Sequence, residues 1–233
     1  MCRMFAYVGS STRELESLYK ALRESASNDT RRIKDNKHGD GWGYVIYSGE
    51  VIWYYRSRRA IYDENFTVPQ VDGKFYAVFH ARQASKKETV SSRFSHPFQE
   101  SNEKELIFLA HNGYVDEEKL KVWLGYQGYT TDSELVTKAL AKFGMRPEVM
   151  ERLREYTVSA LNLLILRVDK GSGVGRLYYL NYFKKDPNYF KKDSEFYRMY
   201  LSQGMEGKAV FSSTLKDYGI DGVPVEEGLR ILD

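Results

Sequence analysis

A chain of 233 residues that is 42% hydrophobic and 29% charged can bury a sizeable core and falls within the range of one domain, residues 1–233. Its 35 Lys+Arg and 32 Asp+Glu leave a formal charge of +3, and the basic residues are scattered rather than gathered on one helix or arm, which argues against a nucleic-acid partner. No apolar run approaches the roughly 20 residues that span a bilayer, Met1-Cys2-Arg3-Met4-Phe5 turns polar too promptly for a signal peptide, and a lone cysteine suits a reducing compartment, so no membrane association and a cytoplasmic location are expected.

Arg3 to Gly9 reads as a short apolar strand. Ser11-Thr12-Arg13-Glu14 then has the spacing of a capping box, ahead of a helix with Leu15, Leu18, Tyr19 and Leu22 on one face. A polar stretch, Ser25 to Lys37, leads to the glycine-punctuated His38 to Gly43, read as a turn because the helix that a phosphate loop requires does not follow. Trp42 to Ile46 and Val51 to Tyr55 flank Ser48-Gly49 as a hairpin, and Phe75 to Arg82 and Leu106 to Asn112 are further strands on either side of a polar loop. Thr131-Asp132-Ser133-Glu134 repeats the capping-box spacing before Leu135, Val136, Ala139, Leu140 and Phe143, and Pro147 suits the first turn of another helix.

Leu161 to Val168, Arg176 to Tyr182, Phe196 to Leu201 and Ala209 to Ser212 form a later set of strands, with turns at Gly171 to Gly173 and Gly204 to Gly207. Lys184-Lys185 and Lys191-Lys192, near Tyr182, Phe183, Tyr189 and Phe190, come nearest to a base-stacking surface, and they read instead as a solvated face beside core aromatics. Strands, then helices, then strands favour an α+β arrangement of two mainly antiparallel sheets covered by helices over a parallel βαβ array.

Cys2 becomes the first residue if an aminopeptidase trims Met1, as happens before a small side chain. A free α-amine titrates near pH ~8 and a thiol near ~8.5, so nucleophile and base would then sit on one residue. The plainer reading is a small hydrophobe at the edge of a strand. His111-Asn112-Gly113 offers a side-chain amide and a backbone N–H in a tight turn, as an oxyanion hole requires, or is simply a type I′ hairpin turn. Arg82 could clamp a carboxylate bidentately or be an ordinary strand-end arginine, and Asp132 could hold an ammonium or be an ordinary first-turn acid. His38, His80, His96 and His111, with Asp40 and Cys2, lack the i,i+4 or Cys-x-x-Cys spacing of a metal site, so no metal or other cofactor is expected. No Gly-x-Ser-x-Gly elbow occurs for a serine triad.

In order, Met1-Cys2-Arg3, His38 to Gly43, His80-Ala81-Arg82-Gln83-Ala84-Ser85, Ser95-His96-Pro97-Phe98, Ala110-His111-Asn112-Gly113 and Thr131 to Glu134 resemble the motif series of class II glutamine amidotransferases, N-terminal-nucleophile hydrolases. The small stand-alone members are the most similar, a group that includes the γ-glutamyl hydrolase of ergothioneine synthesis. The resemblance covers roughly residues 1 to 145 and a late Phe211 to Leu215, where relatives carry a proline in place of Thr214, and Gln83 stands where an aromatic residue is common in the synthase-linked branch. It implies a four-layer αββα sandwich, attack by Cys2, an oxyanion hole at Asn112 and Gly113, a carboxylate clamp at Arg82, an ammonium clamp at Asp132 with the Gly113 region, and a pocket lined or supported by Ser85 and His96. The implied substrate is glutamine, with an ammonia-accepting synthase subunit as a partner because the chain ends at Asp233. A γ-glutamyl amide of a larger metabolite is the alternative substrate, and a non-catalytic glutamine-binding module is a third reading.

Overall fold

The computed structural model describes residues 2–32, 36–184, 196–202 and 206–233. Met1, Lys185, Tyr189, Phe190, Lys191, Lys192 and Gly204 of the sequence readings above lie outside the described residues. In chain order the elements are β1 (Arg3–Gly9), α1 (Thr12–Ser27), β2 (Trp42–Tyr47), β3 (Ile52–Ser57), β4 (Phe75–Ala81), β5 (Phe98–Ser101), β6 (Glu105–Val115), α2 (Glu117–Leu124), α3 (Asp132–Phe143) and α4 (Pro147–Tyr156). They continue with β7 (Thr157–Asp169), β8 (Gly175–Asn181), β9 (Met199–Ser202), β10 (Lys208–Ser212), β11 (Val223–Pro224) and β12 (Gly228–Leu232).

Local chemistry accounts for most boundaries. Ser11 caps α1 by accepting the Glu14 N–H at 3.4 Å, Thr131 caps α3 in the same way through Glu134 at 3.4 Å, and Pro147 opens α4 where its missing N–H costs nothing. The strands assemble into two antiparallel sheets: seven strands in the order β11-β9-β10-β1-β4-β2-β3, and five in the order β12-β8-β7-β6-β5. Strand alternation then fixes the layers. Along β1, Phe5 and Tyr7 join Leu15, Leu18 and Leu22 of α1 in one core, whereas Met4, Ala6 and Val8 face the second sheet. Along β6, Phe108 and Ala110 meet the first sheet, while Ile107 and Leu109 pack under Leu120, Leu135, Leu140 and Leu153 of the helices. Each fully buried Leu or Phe contributes about 1.5–3 kcal/mol. The result is the αββα sandwich expected. Among the described residues no helix is long and apolar enough to cross a membrane.

Two sequence readings are corrected. His111-Asn112-Gly113 is not a tight turn: β6 runs through it to Val115, with Asn112 opposite Asn162 and Gly113 opposite Leu161 of β7, and the register shifts only between Gly113 and Val115. Pairing with the long β7 overrides the turn preference of Asn-Gly and turns it into a bulge. Phe196 and Tyr197 precede β9 instead of belonging to it. Their backbone is held by other partners, since the Phe196 carbonyl accepts from Arg3 at 3.1 Å and the Tyr197 carbonyl from the Asn162 side chain at 2.5 Å.

Candidate active site

Cys2 lies just before β1, on the face that looks into the space between the sheets. Its backbone N–H donates to Asn112 Oδ1 at 2.9 Å, and its Sγ approaches the Gln83 carbonyl oxygen at 3.8 Å. Asn112 projects from β6 of the other sheet, so this bond ties the two sheets together at the thiol. Cys2 forms part of the wall of a cavity of about 230 Å³ that is also lined by Arg82, Ser85, His96, Gly113 and Asp132. Burial alone pushes the thiol up, but interaction with His80, the charge of the amino terminus and the Gln83 contact outweigh it and bring the thiol down to about 6.

Arg82 follows the end of β4, and the glycine-rich segment continues its ladder: Asp40 N–H donates to the Arg82 carbonyl at 2.9 Å, and Arg82 N–H to the Gly41 carbonyl at 2.8 Å. Asp40 and Gly41 thus run as a strap beside Arg82. Asp40 also accepts the Ala84 N–H at 2.9 Å, which anchors the backbone next to Ser85. The Arg82 guanidinium is held by Thr89, through its carbonyl at 2.9 Å and its hydroxyl at 2.7 Å. Burial lowers its pKa, opposed by Cys2, Asp40 and Asp132, but an arginine stays a cation.

The opposite wall is built from the β6 bulge and the start of α3. Gly113 has φ +152°, and a Cβ there would fall 1.9 Å from the Ala160 carbonyl oxygen, so the backbone can follow this path only without a side chain. Asp132, the first residue of α3, accepts the Val115 N–H at 3.0 Å, and His111 Nδ1 lies 2.9 Å from Ser133 Oγ. These two bonds fasten the helix start to the bulge. Lys86 and Glu117 pair at 2.9 Å and also line the cavity, the lysine half exposed.

The structure therefore brings Cys2, Arg82, Ser85, His96, Gly113 and Asp132 to one cavity, with Asn112 bound to Cys2 beside it. The sequence reading gave His80 no role at the thiol. Its ring lies against that of His96, tilted by 33° with centroids 4.0 Å apart, its Nε2 lies 3.2 Å from the His111 carbonyl oxygen, and its Nδ1 has no hydrogen-bond partner among the described residues. Neither ring nitrogen of His96 has one either, and burial together with His80 and Arg82 holds His96 well below the ordinary histidine value. A usable signal existed: His80 and Arg82 are two apart in one strand and so share a face. The four histidines do not converge, because His38 sits on the other face of the first sheet, 2.8 Å from Asp29 Oδ2.

No family model and no curated protein matches the chain. Among solved structures, it is similar to a glutamine phosphoribosylpyrophosphate amidotransferase from B. subtilis complexed with ADP and GMP, with a TM-score of 0.62, 17% identity, and coverage of 98% of this chain and 48% of that one. It is likewise similar to an allosteric regulatory enzyme of purine biosynthesis, with a TM-score of 0.63, 18% identity, and coverage of 98% of this chain and 46% of that one. The chain spans about half the length of these structures. At such identity the likeness is one of fold: the chain shares with these structures its layered arrangement of two antiparallel sheets and helices.

Proposed function

We propose that this protein is a cysteine-dependent amidohydrolase of the glutamine amidotransferase type, cleaving the γ-carboxamide of glutamine with Cys2 as its N-terminal residue. One observation carries the reading: a thiol lowered to about 6 opens into a cavity that also presents a guanidinium, Arg82, and a carboxylate, Asp132. Those two charges complement the carboxylate and ammonium of an amino acid, and the thiol would meet the far end of its side chain. The name of one solved structure of like fold, a glutamine phosphoribosylpyrophosphate amidotransferase, agrees with that substrate.

The Cys2 thiolate adds to the amide carbon as the C=O pair moves onto oxygen, where the Asn112 side-chain amide and the Gly113 N–H receive the charge. The C–N bond then breaks, the nitrogen leaves as ammonia after taking a proton, and water hydrolyses the γ-glutamyl thioester to regenerate the thiol. The Cys2 nitrogen, an α-amine once Met1 is gone, lies beside these groups and moves the protons. Lys86, Glu117 and Tyr114 extend the cavity lining past the two clamps, and they favour a second reading in which the leaving group is a larger amine.

A mass-balance assay with processed protein tests both readings. Glutamate is expected from glutamine, or from a panel of γ-glutamyl amides, with one equivalent of ammonia or amine. Cys2→Ala should lower the rate by at least about 10³-fold without unfolding the protein. Tight glutamine binding without any turnover would instead indicate a binding module. Ammonia delivered to a partner subunit, rather than to solvent, is the further arm of the same assay.

A further inference from the structure

Forming the Cys2 thiolate at neutral pH requires a group that accepts its proton, and the geometry gives the α-amine a different task. In the unprocessed chain the Cys2 peptide N–H donates to Asn112 Oδ1 at 2.9 Å, and removal of Met1 would leave the α-amine on that same nitrogen, facing the same oxygen. An α-amine titrates near pH ~8, so below that pH it is an ammonium without a lone pair, and a carbonyl oxygen at hydrogen-bond distance favours that donor form.

His80 is placed to accept instead. Across β1 and β4, Arg3 faces Ala81 and Met4 faces His80, so Cys2 and His80 are diagonal neighbours on the inter-sheet face, within reach of an aromatic side chain. The His111 carbonyl, 3.2 Å from Nε2, can only accept, so Nε2 carries the hydrogen and Nδ1 keeps its lone pair. Nδ1 is enclosed and has no partner, which for a buried imidazole nitrogen calls for an explanation. Burial works against the thiolate, and interaction with His80 is the largest effect opposing it. The other groups around His80 are His96, its tilted ring centred 4.0 Å away, His111 of β6, and Arg82 two residues on. His96 is itself held neutral by burial and by His80, Arg82, His111 and Arg56, so it does not compete for the proton.

We propose that His80 is a catalytic residue whose Nδ1 takes the proton of the Cys2 thiol, leaving the α-ammonium to serve the departing nitrogen. The proposal rests on the amidohydrolase reading above. The S–H bond breaks and an N–H bond forms, giving a thiolate beside an imidazolium. The thiolate forms the C–S bond, the α-ammonium gives its proton to the nitrogen that leaves, and the α-amine recovers one from the water that opens the thioester. Thiolate, imidazolium and α-ammonium are then restored, and no other reactant is needed.

The test is the pH profile of Cys2 alkylation by iodoacetamide, which requires no substrate. It is measured on the processed protein, on a chain that retains Met1 through an N-terminal extension, and on His80→Gln. The midpoint is the quantity to read, because a thiolate of lower pKa is also a weaker nucleophile and the rates partly cancel. The expected midpoint is near 6 in the processed protein, modestly higher in the extended chain because the amino-terminal charge is moved away, and about 2 pH units or more higher in His80→Gln, near the free-thiol value of ~8.5. An ordinary midpoint in the chain that retains Met1 would assign the thiolate to the α-amine and overturn the proposal, and this arm does not depend on the variant folding. A low midpoint in folded His80→Gln overturns it as well. A low, His80-dependent midpoint in a protein that hydrolyses no γ-glutamyl amide would refute the amidohydrolase reading while leaving the proton pair standing.

Discussion

Cys2 and Arg3 are consecutive residues that point to opposite faces of one sheet and meet opposite kinds of polar surroundings. On the Arg3 side, Asp29 accepts from Arg3 Nε at 2.7 Å and Thr214 Oγ1 at 2.8 Å and lies 2.8 Å from His38 Nε2. The guanidinium also lies over the Phe196 ring at 3.5 Å. Three charged or polar partners share one carboxylate, and the cluster is sealed and largely satisfied, with Arg3 Nη2 alone of the guanidinium nitrogens lacking a partner among the described residues. On the Cys2 side, His80 Nδ1 and both nitrogens of His96 have no partner among the described residues, and a cavity lined by Cys2 and His96 lies beside them. Buried polar groups that satisfy one another hold a fold in one arrangement, whereas buried polar groups left unsatisfied need something that arrives from outside.

The sharpest way to break this contrast is to unseal the first cluster. Asp29→Ala leaves Arg3 charged and buried without a counter-ion, and a loss of about 3–5 kcal/mol of stability is expected in denaturant unfolding. Loss of activity with stability unchanged would move the cluster from the fold to the chemistry. The pH dependence adds a sign. Burial lowers His38 from 6.5 to about 4, so the unfolded chain binds more protons within that window, and stability should fall as pH drops from 6.5 towards 4. Burial raises the Asp29 carboxyl, but Arg3 and His38 more than reverse it, so its contribution is complete above 3.8 and is lost as pH falls further. Thermal melts of His38→Gln should show a shallower slope between pH 6.5 and 4, with His96 accounting for part of what remains.

The second prediction concerns the other face. Asn112→Ala should lower kcat by about 10²–10³-fold, because in the proposed reaction its amide would serve a charge that develops only as the thiolate adds. Arg82→Lys and Asp132→Asn should act mainly on KM, by about 10- to 100-fold, since their contacts would be made in ground and transition states alike. Parent-like kinetics in both variants would place the amino-acid clamp elsewhere. The smallest effect is expected at the rim, where the half-exposed Lys86 pairs with Glu117: Lys86→Ala should change stability by less than about 1 kcal/mol, as measured by urea unfolding.

Much of this was legible because it is local. Capping boxes at Ser11 and Thr131 and the alternation along Arg3 to Gly9 report their own elements. The short β11 and β12, α2 and the β5 strand beside Phe98 gave no comparable pattern. Asn112-Gly113 misled for a physical reason, since the dipeptide carries a hairpin signal and only pairing with β7, about 50 residues further on, makes it a bulge. The residues that gather at the Cys2 cavity were singled out through the order of six motifs, not through any one of them. Asp29 escaped altogether: it is an acid in a polar loop, and the partners that define it, Arg3, His38 and Thr214, come from distant parts of the chain. His80 was visible as a histidine but not as a neighbour of Cys2, which requires the register of β1 against β4.

The constraint at Gly113 reaches back to its codon. Every base change at the first or second position of a glycine codon that does not stop translation introduces a side chain, and the Ala160 carbonyl leaves no room for even the first carbon of one. No single nucleotide step from this codon preserves both the protein and the bulge, apart from silent changes at the third position. In a saturation library selected for folded, active protein, this codon should return only its synonyms, while Gly49, with nothing within 4 Å of its would-be Cβ, should return at least asparagine beside glycine.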